Sequence, residues 1–418
     1  MGLKESSFDN AFYQNCKVVL VKYACCYLFI GVGGEVMVLA RIEEISIKNF
    51  LSLRDISIRL KKLNVLIGPN ASGKSNIVKA LRLLSFHAEG KSFLGLGFRE
   101  FREISYNFDE FNEITLSVII SSSSNKVKYD LVLYHDGYEE RAYIIEKNRQ
   151  ILILEHKGNT RSFTYMTKNQ EMMTAHVPNG SISYFGKISV SPSAVWKVPG
   201  NSVNELKILS KVLQGIRTYS FSPEHIRARS EITNPPVLGY FGQNLARVLL
   251  HLYLEEREKF QEIERLMQVA VGIKEIIPHL EKTQVYVWVR EHGLAEPLRP
   301  YGISDGTLRI LAFITALLTG GSLVAFEEPE NCVHPHLLET IVDLTRKAPV
   351  QVLITTQSPY LLDHVDVSEV FVVEKKGTET VIWELESKEE IKRVRKFLEE
   401  GGTLGEAWYS GMFGGVPR

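Results

Sequence analysis

What the chain lacks narrows its class before any motif is read. It has no net charge, with 49 Lys plus Arg against 49 Asp plus Glu in 418 residues, so no global field draws it to nucleic acid or to an acidic membrane. Its four cysteines, Cys16, Cys25, Cys26 and Cys332, form no CxxC pair and no even framework. That argues against a disulfide scaffold or a cysteine zinc site and fits a reducing cytoplasm. The longest apolar stretch, Val18 to Gly34, is interrupted by Lys22. Its unbroken part falls short of the roughly 20 residues of a spanning helix, and no small-residue cleavage site follows, so no membrane role is expected. Internal repeats and low-complexity linkers are also missing.

What is present is ordinary in bulk: 44% hydrophobic and 23% charged residues, enough for two or three packed units. Gly33-Gly34-Glu35-Val36 stands directly before Met37, and those codons can be read from a purine-rich ribosome-binding sequence. Met37 is therefore expected to be the start, with residues 1–36 a translated leader that carries three of the four cysteines.

From Arg41, RIEEISIKNF and LRDISIRL alternate apolar and polar residues, the pattern of a half-buried hairpin. LNVLI at Leu63 to Ile67, apolar but for Asn64, reads as a buried parallel strand, and a helix is expected after it from Ile77, Val78, Leu81 and Leu84. Tyr-, Ile- and Ser-rich runs broken by Asn, Gly and Asp fill the stretch from Phe93 to Val198, which reads as an inserted antiparallel sheet. Gln243 to Val271 has helical spacing, with its EEREK run on the wet face. A strand at Val285 to Val289 and then alternating strands and helices point to a resumed parallel α/β core.

Gly68-Pro69-Asn70-Ala71-Ser72-Gly73-Lys74-Ser75 satisfies GxxxxGK[ST] between a buried strand and a helix, the context that turns this pattern into a phosphate site. The glycines let backbone N–H groups face the phosphates, the helix N-terminus adds its dipole, and Lys74 brings a full charge. Ser75 is the expected magnesium ligand, and Asn76 closes the candidate ATP-binding segment. Leu323-Val324-Ala325-Phe326 followed by Glu327-Glu328 is a buried strand delivering carboxylates at its end, the Walker B form. Glu327 is expected to hold Mg2+ and Glu328 to orient and deprotonate the attacking water.

These segments, in this order, resemble the SMC and RecF-like ABC ATPases, and within them the OLD-like ATPases that lack long coiled coils. KNFLSLRDISI, LNVLIGPNASGKSNIVKAL, YGISDGTLRILAF, VAFEEPENCVHPHLLE, TTQSPYLLD and LGEAWYSGMFGGVP carry the likeness, which covers nearly everything from Arg41 on. It implies a P-loop NTPase of α/β class: an ABC-type core of mixed, mostly parallel sheet with flanking helices, an inserted antiparallel β lobe and a helical lobe. Five divisions are expected. Residues 1–36 are the leader, 37–92 the first part of the core, 93–200 the inserted lobe, 201–284 the helical lobe, and 285–418 the rest of the core.

By the same resemblance, Ser304-Asp305-Gly306-Thr307 stands where ABC proteins carry their signature, so Ser304 and Gly306 would bind the γ-phosphate held by an opposing copy. Without the family it is a helix N-cap. Glu330 to His336 corresponds to the D-loop of the dimer interface. His334 and His336 are not read as metal ligands, since a proline separates them and no third ligand has a defined spacing. Two features depart from the family: Gln357 occupies the switch-histidine position and can still donate to a phosphate oxygen, and Glu327 replaces the commoner Asp. The resemblance further implies an ATP-dependent homodimer acting on DNA or RNA, in repair or phage defence. A transporter energiser is the alternative, opposed by the roughly 230 residues between Lys74 and Ser304. A nuclease activity is expected on a separate chain, because EVFVVEKKG has no DxD partner after it.

Overall fold

The computed structural model describes residues 40–415 apart from 123–124, 148, 178–181, 185–187, 232–236 and 388–390. The leader reading of residues 1–36 and the start at Met37 lie outside the described residues. In chain order the strands and helices are β1 Arg41–Phe50, β2 Leu53–Arg59, β3 Leu63–Ile67, α1 Lys74–Ala88, β4 Ile114–Ser121, β5 Lys126–Tyr134, β6 Gly137–Glu146, β7 Arg149–Lys157, β8 Ser162–Met166, β9 Met172–His176, β10 Ile182–Tyr184, β11 Ile188–Val190, α2 Asn204–Gln214, β12 Ile216–Tyr219 and α3 Pro223–Arg227. They continue with β13 Ser230–Glu231, α4 Leu245–Glu255, α5 Arg257–Val271, β14 Ile273–Glu281, β15 Gln284–Glu291, α6 Asp305–Thr319, β16 Leu323–Glu327, α7 Leu338–Lys347, β17 Gln351–Thr356, α8 Pro359–Leu362, β18 Val370–Lys376, β19 Glu379–Glu384, α9 Ile391–Glu399 and α10 Leu404–Tyr409. Two compact units result. One holds 40–218, Gly321–Glu327 and 351–415; the other holds Tyr219–Gly320 and Glu328–Val350.

The first unit contains two large sheets. A six-stranded sheet runs β12-β16-β17-β3-β18-β19, with β16, β17, β3 and β18 parallel and β19 antiparallel to β18. Its central strands β3 and β17 are buried along their length, and their buried amides Asn64 and Gln351 donate to the carbonyls of Val352 at 3.0 Å and Ile42 at 2.9 Å. The eight-stranded sheet, β2-β1-β4-β5-β6-β7-β8-β9, is antiparallel. Since β1 pairs with β4, the strands from Ile114 onward extend the hairpin's own sheet. Alternate residues Ile114, Leu116, Val118 and Ile120 are fully buried, the signature of a sheet packed on one face.

That sheet encloses a charged group. Glu140 on β6 has no exposed surface, yet it accepts from Tyr129 Oη at 2.8 Å, Ser193 Oγ at 2.8 Å and the Ala194 N–H at 2.5 Å. His156 Nδ1 lies 2.9 Å from one carboxylate oxygen and His87 Nε2 3.3 Å from the other. Burial pushes the carboxyl pKa up, but the hydrogen bonds and charges of His156 and His87 outweigh it and hold the pKa well below its ordinary value.

The second unit pairs β13, β15 and β14 in an antiparallel sheet. The strand expected at Val285 to Val289 is β15, and it belongs to this sheet rather than to the parallel one. The 201–284 stretch, read as helical, also carries β12 and β14; β14 turns back into β15 through Lys282 at φ 55°. The helical run from Gln243 to Val271 is likewise two helices, broken at Glu256 (φ −130°, ψ 57°). Position 256 falls four residues after buried Leu252 and four before buried Phe260, so an unbroken helix would carry a carboxylate into the apolar stripe. The break frees it to pair with Lys259 at 2.5 Å and His251 at 3.7 Å. None of the described helices is long and apolar enough to cross a membrane.

The Glu140 cluster yields a pH test. A carboxyl held below its ordinary value of 4.5 contributes stability that is fully present above that pH and lost as pH falls beneath it. Glu140→Gln should destabilise the fold by about 3 kcal/mol at neutral pH and flatten the acid limb of the melting-temperature profile. A variant with the acid limb of the parent would show that Glu140 does not set it.

Candidate functional site

The P-loop is built by close packing from outside. Gly68 follows β3 so near β18 that a Cβ there would come within 2.1 Å of the Val373 carbonyl oxygen. Gly73 lies at φ 107°, and a Cβ on it would come within 2.0 Å of Thr380 Oγ1. Both glycines are thus required by contact, and Gly73 also by conformation. Between them Ala71 takes a left-handed φ of 60°, while Ser72 is buried with its Oγ unpartnered. Lys74 opens α1, is itself buried, and donates from Nζ to the carbonyls of Gly68 at 2.7 Å and Pro69 at 2.9 Å. The first turn of α1 carries no acidic residue and its N-cap is Gly73, with no capping side chain. A helix end left in this state favours an anion.

Strand register brings the other candidates of this unit to the same edge. Ile67 pairs with Thr356, and Thr355 with Glu327, so three parallel strands end side by side and release the P-loop, Gln357 and the Glu327 carboxylate there. Ligands of open α/β sheets gather at such an edge. Ser358 then caps α8 by accepting from the Leu361 N–H. Ser75, with its hydroxyl, follows Lys74 in α1. The side chain of Asn76 donates instead to Ser52 Oγ at 2.8 Å.

Ser304, Gly306 and Glu328 belong to the other unit. Ser304 is the N-cap of α6 and accepts from the Thr307 N–H at 3.1 Å. Ser304 and Asp305 are exposed. Gly306 packs on the segment that follows β16, where a Cβ would come within 2.6 Å of the Cys332 carbonyl oxygen. Arg227 braces this turn, donating to the carbonyls of Pro300 at 3.1 Å and Ile303 at 2.7 Å and to Asp305 at 2.6 Å. Glu328 sits at φ 45°, a left-handed conformation costing about 1 kcal/mol or more for a non-glycine residue, and it accepts from Asn331 Nδ2 at 2.8 Å. His334 and His336 face each other, Nδ1 to Nδ1 at 2.7 Å.

Three residues of these arrangements escaped sequence reasoning: Ser52, Thr380 and Arg227. Thr380 and Arg227 stand in no motif, and Ser52, although inside the KNFLSLRDISI segment, has no chemistry that the segment announces. Each acts on a segment far away in the chain, and only the fold shows it.

Comparison with known proteins bears on the family and the fold. A family model described as "AAA domain, putative AbiEii toxin, Type IV TA system" matches residues 63–169 and 183–363, well over half of the chain. Over 401 residues the chain is 20% identical to a protein named OLD nuclease from Thermus scotoductus (strain ATCC 700910 / SA-01), covering 88% of this chain and 69% of that protein. The structure of an SMC head bound to the C-winged helix domain of ScpA superposes with a TM-score of 0.50 at 13% identity, over 83% of this chain and 98% of that one. A further SMC head, derived from Pyrococcus furiosus and bound to the C-terminal domain of ScpA, aligns at TM-score 0.49 and 14% identity, over 86% and 99%. At 13% identity the likeness to the first of these SMC heads is one of fold.

Proposed function

The chain belongs to the family described as "AAA domain, putative AbiEii toxin, Type IV TA system", and from that premise we propose that it is an OLD-like and SMC-like ATPase, an ATP-hydrolysing switch in which two copies close on two ATP molecules. The observation that carries the reading is the loop from Gly68 to Ser75: a cradle stripped of side chains by contact at both glycines, with the Lys74 ammonium already held inside its carbonyls.

In this reading the backbone N–H groups of the cradle and Lys74 hold the triphosphate of ATP. Ser75 and Glu327 would hold Mg2+, which when bound neutralises phosphate charge. Glu328 orients the attacking water and takes its proton, and Gln357 donates to a γ-phosphate oxygen without any proton-dependent charge of its own. The exposed Ser304 hydroxyl and the Gly306 N–H serve the γ-phosphate held by the opposite copy, so the nucleotide joins the two chains. Support for that assignment comes from the bracing of the turn by Arg227 and Cys332, which fixes an otherwise exposed polar loop.

The name of the Thermus relative supports a nucleic-acid process; on this proposal DNA or RNA triggers turnover, in repair or phage defence. Turnover measured with single-stranded DNA, duplex DNA and RNA checks this part; a rate indifferent to all three would remove it.

For the switch itself, Lys74→Ala should abolish ATP binding by calorimetry, because a buried triphosphate loses the one fixed cation of its loop. Glu328→Gln should bind ATP, hydrolyse it slowly and accumulate as a dimer in light scattering with magnesium and ATP. A Glu328→Gln protein that stays monomeric at saturating ATP would falsify the sandwich.

A further inference from the structure

A chain of hydrogen bonds reaches the P-loop backbone from two distant parts of the same unit. The Asn76 side-chain amide, which can only donate through its nitrogen, gives hydrogen to Ser52 Oγ at 2.8 Å. Ser52 Oγ lies 2.6 Å from Thr380 Oγ1, and Thr380 Oγ1 lies 2.8 Å from the Ser72 carbonyl oxygen, which can only accept. The two ends fix the direction of the middle bond. Thr380 spends its hydrogen on Ser72, so Ser52 donates to Thr380, and the three bonds run head to tail, an order in which each polarises the next. A backbone bond from Thr380 N to Ser52 O at 2.8 Å locks the two hydroxyl residues together. Thr380 is only 3% exposed, so water does not compete for its hydroxyl.

The consequence lies in the planarity of the peptide unit. In a trans peptide the carbonyl and the following N–H point in opposite directions, and the described chain has no cis peptide. A Ser72 carbonyl tied to Thr380 on β19 therefore aims the Gly73 N–H to the other side of the loop, away from β19. Gly73 has no Cβ, and it is the only residue type that tolerates Thr380 at this distance. Ser52 sits in the turn between β1 and β2, so the orientation of one P-loop peptide is set jointly by the eight-stranded sheet and by the edge of the six-stranded one.

On the reading that this loop binds a triphosphate, we propose that Thr380, supported by Ser52 and Asn76, is a positioning residue that presets the Gly73 amide for phosphate. It touches no substrate atom itself. Its effect is preorganisation: with the hydroxyl removed, the peptide can rotate, and binding must then order it.

The test uses the whole chain and magnesium-ATP affinity by calorimetry, with the melting temperature of the nucleotide-free protein measured alongside. Thr380→Val, which keeps the shape and removes the hydroxyl, should weaken ATP about tenfold, while Thr380→Ser restores affinity to within about twofold. Ser52→Ala should weaken binding in the same direction and add little in a Thr380→Val background, because both act through one chain. Should Thr380→Val fail to fold, Ser52→Ala with Thr380→Ser carries the test. Wild-type affinity in Thr380→Val, or equal losses in Thr380→Val and Thr380→Ser, would overturn the role. If the unmodified chain binds no ATP, the reading of the loop falls and this role falls with it, an outcome distinguishable from the first two.

Discussion

The approach of β18 and β19 to the Gly68–Gly73 segment is the constraint on which the rest of the site depends. Several N–H groups can be turned on one anion only if the loop carrying them has no side chains in the way and is held from outside. Here the Val373 carbonyl and the Thr380 hydroxyl occupy the space that Cβ atoms at Gly68 and Gly73 would need. The strands responsible, β18 beside β3 and β19 beyond it, belong to the same sheet, so the cradle is a product of sheet order. The same order delivers Glu327 and Gln357 beside it, since β16, β17 and β3 are parallel and in register.

The other unit presents a different kind of surface. Its signature turn is exposed at Ser304 and Asp305 yet fixed at its root, with Arg227 holding two carbonyls and a carboxylate and Gly306 seated on Cys332. A polar loop that is both exposed and braced suits recognition of a ligand held elsewhere, because little ordering remains to be done on contact. Glu328, held in a left-handed conformation, stores strain in the residue proposed to orient the attacking water.

Much of this was legible in the sequence, for physical reasons that stop at a definable point. Gly68 to Ser75 and Leu323 to Glu328 are contiguous, so strand, turn and chemistry can be read from one window, and the fold class follows from their order. The hairpin and the antiparallel insertion announce themselves by period-two burial. Thr380 could not be found this way: it lies 308 residues from Ser72, and its importance comes from sheet order alone. In the sequence Glu140 is one charge among several on a strand, and only the fold brings His87, His156, Tyr129 and Ser193 around it. The helix break at Glu256 carries no glycine or proline, and only the register of the apolar stripe explains it.

The central claim is that one functional site needs two chains, with the P-loop of one and the signature turn of the other. Mixing two inactive variants tests it directly: Lys74→Ala, which keeps Ser304, and Ser304→Arg, which keeps Lys74. Neither variant alone can build an intact site, but a mixed dimer has one site with Lys74 from one chain and Ser304 from the other. The account predicts that ATP turnover, absent from either variant alone, reappears on mixing; a mixture as inactive as its parts, with mixed dimers demonstrably formed, would contradict it.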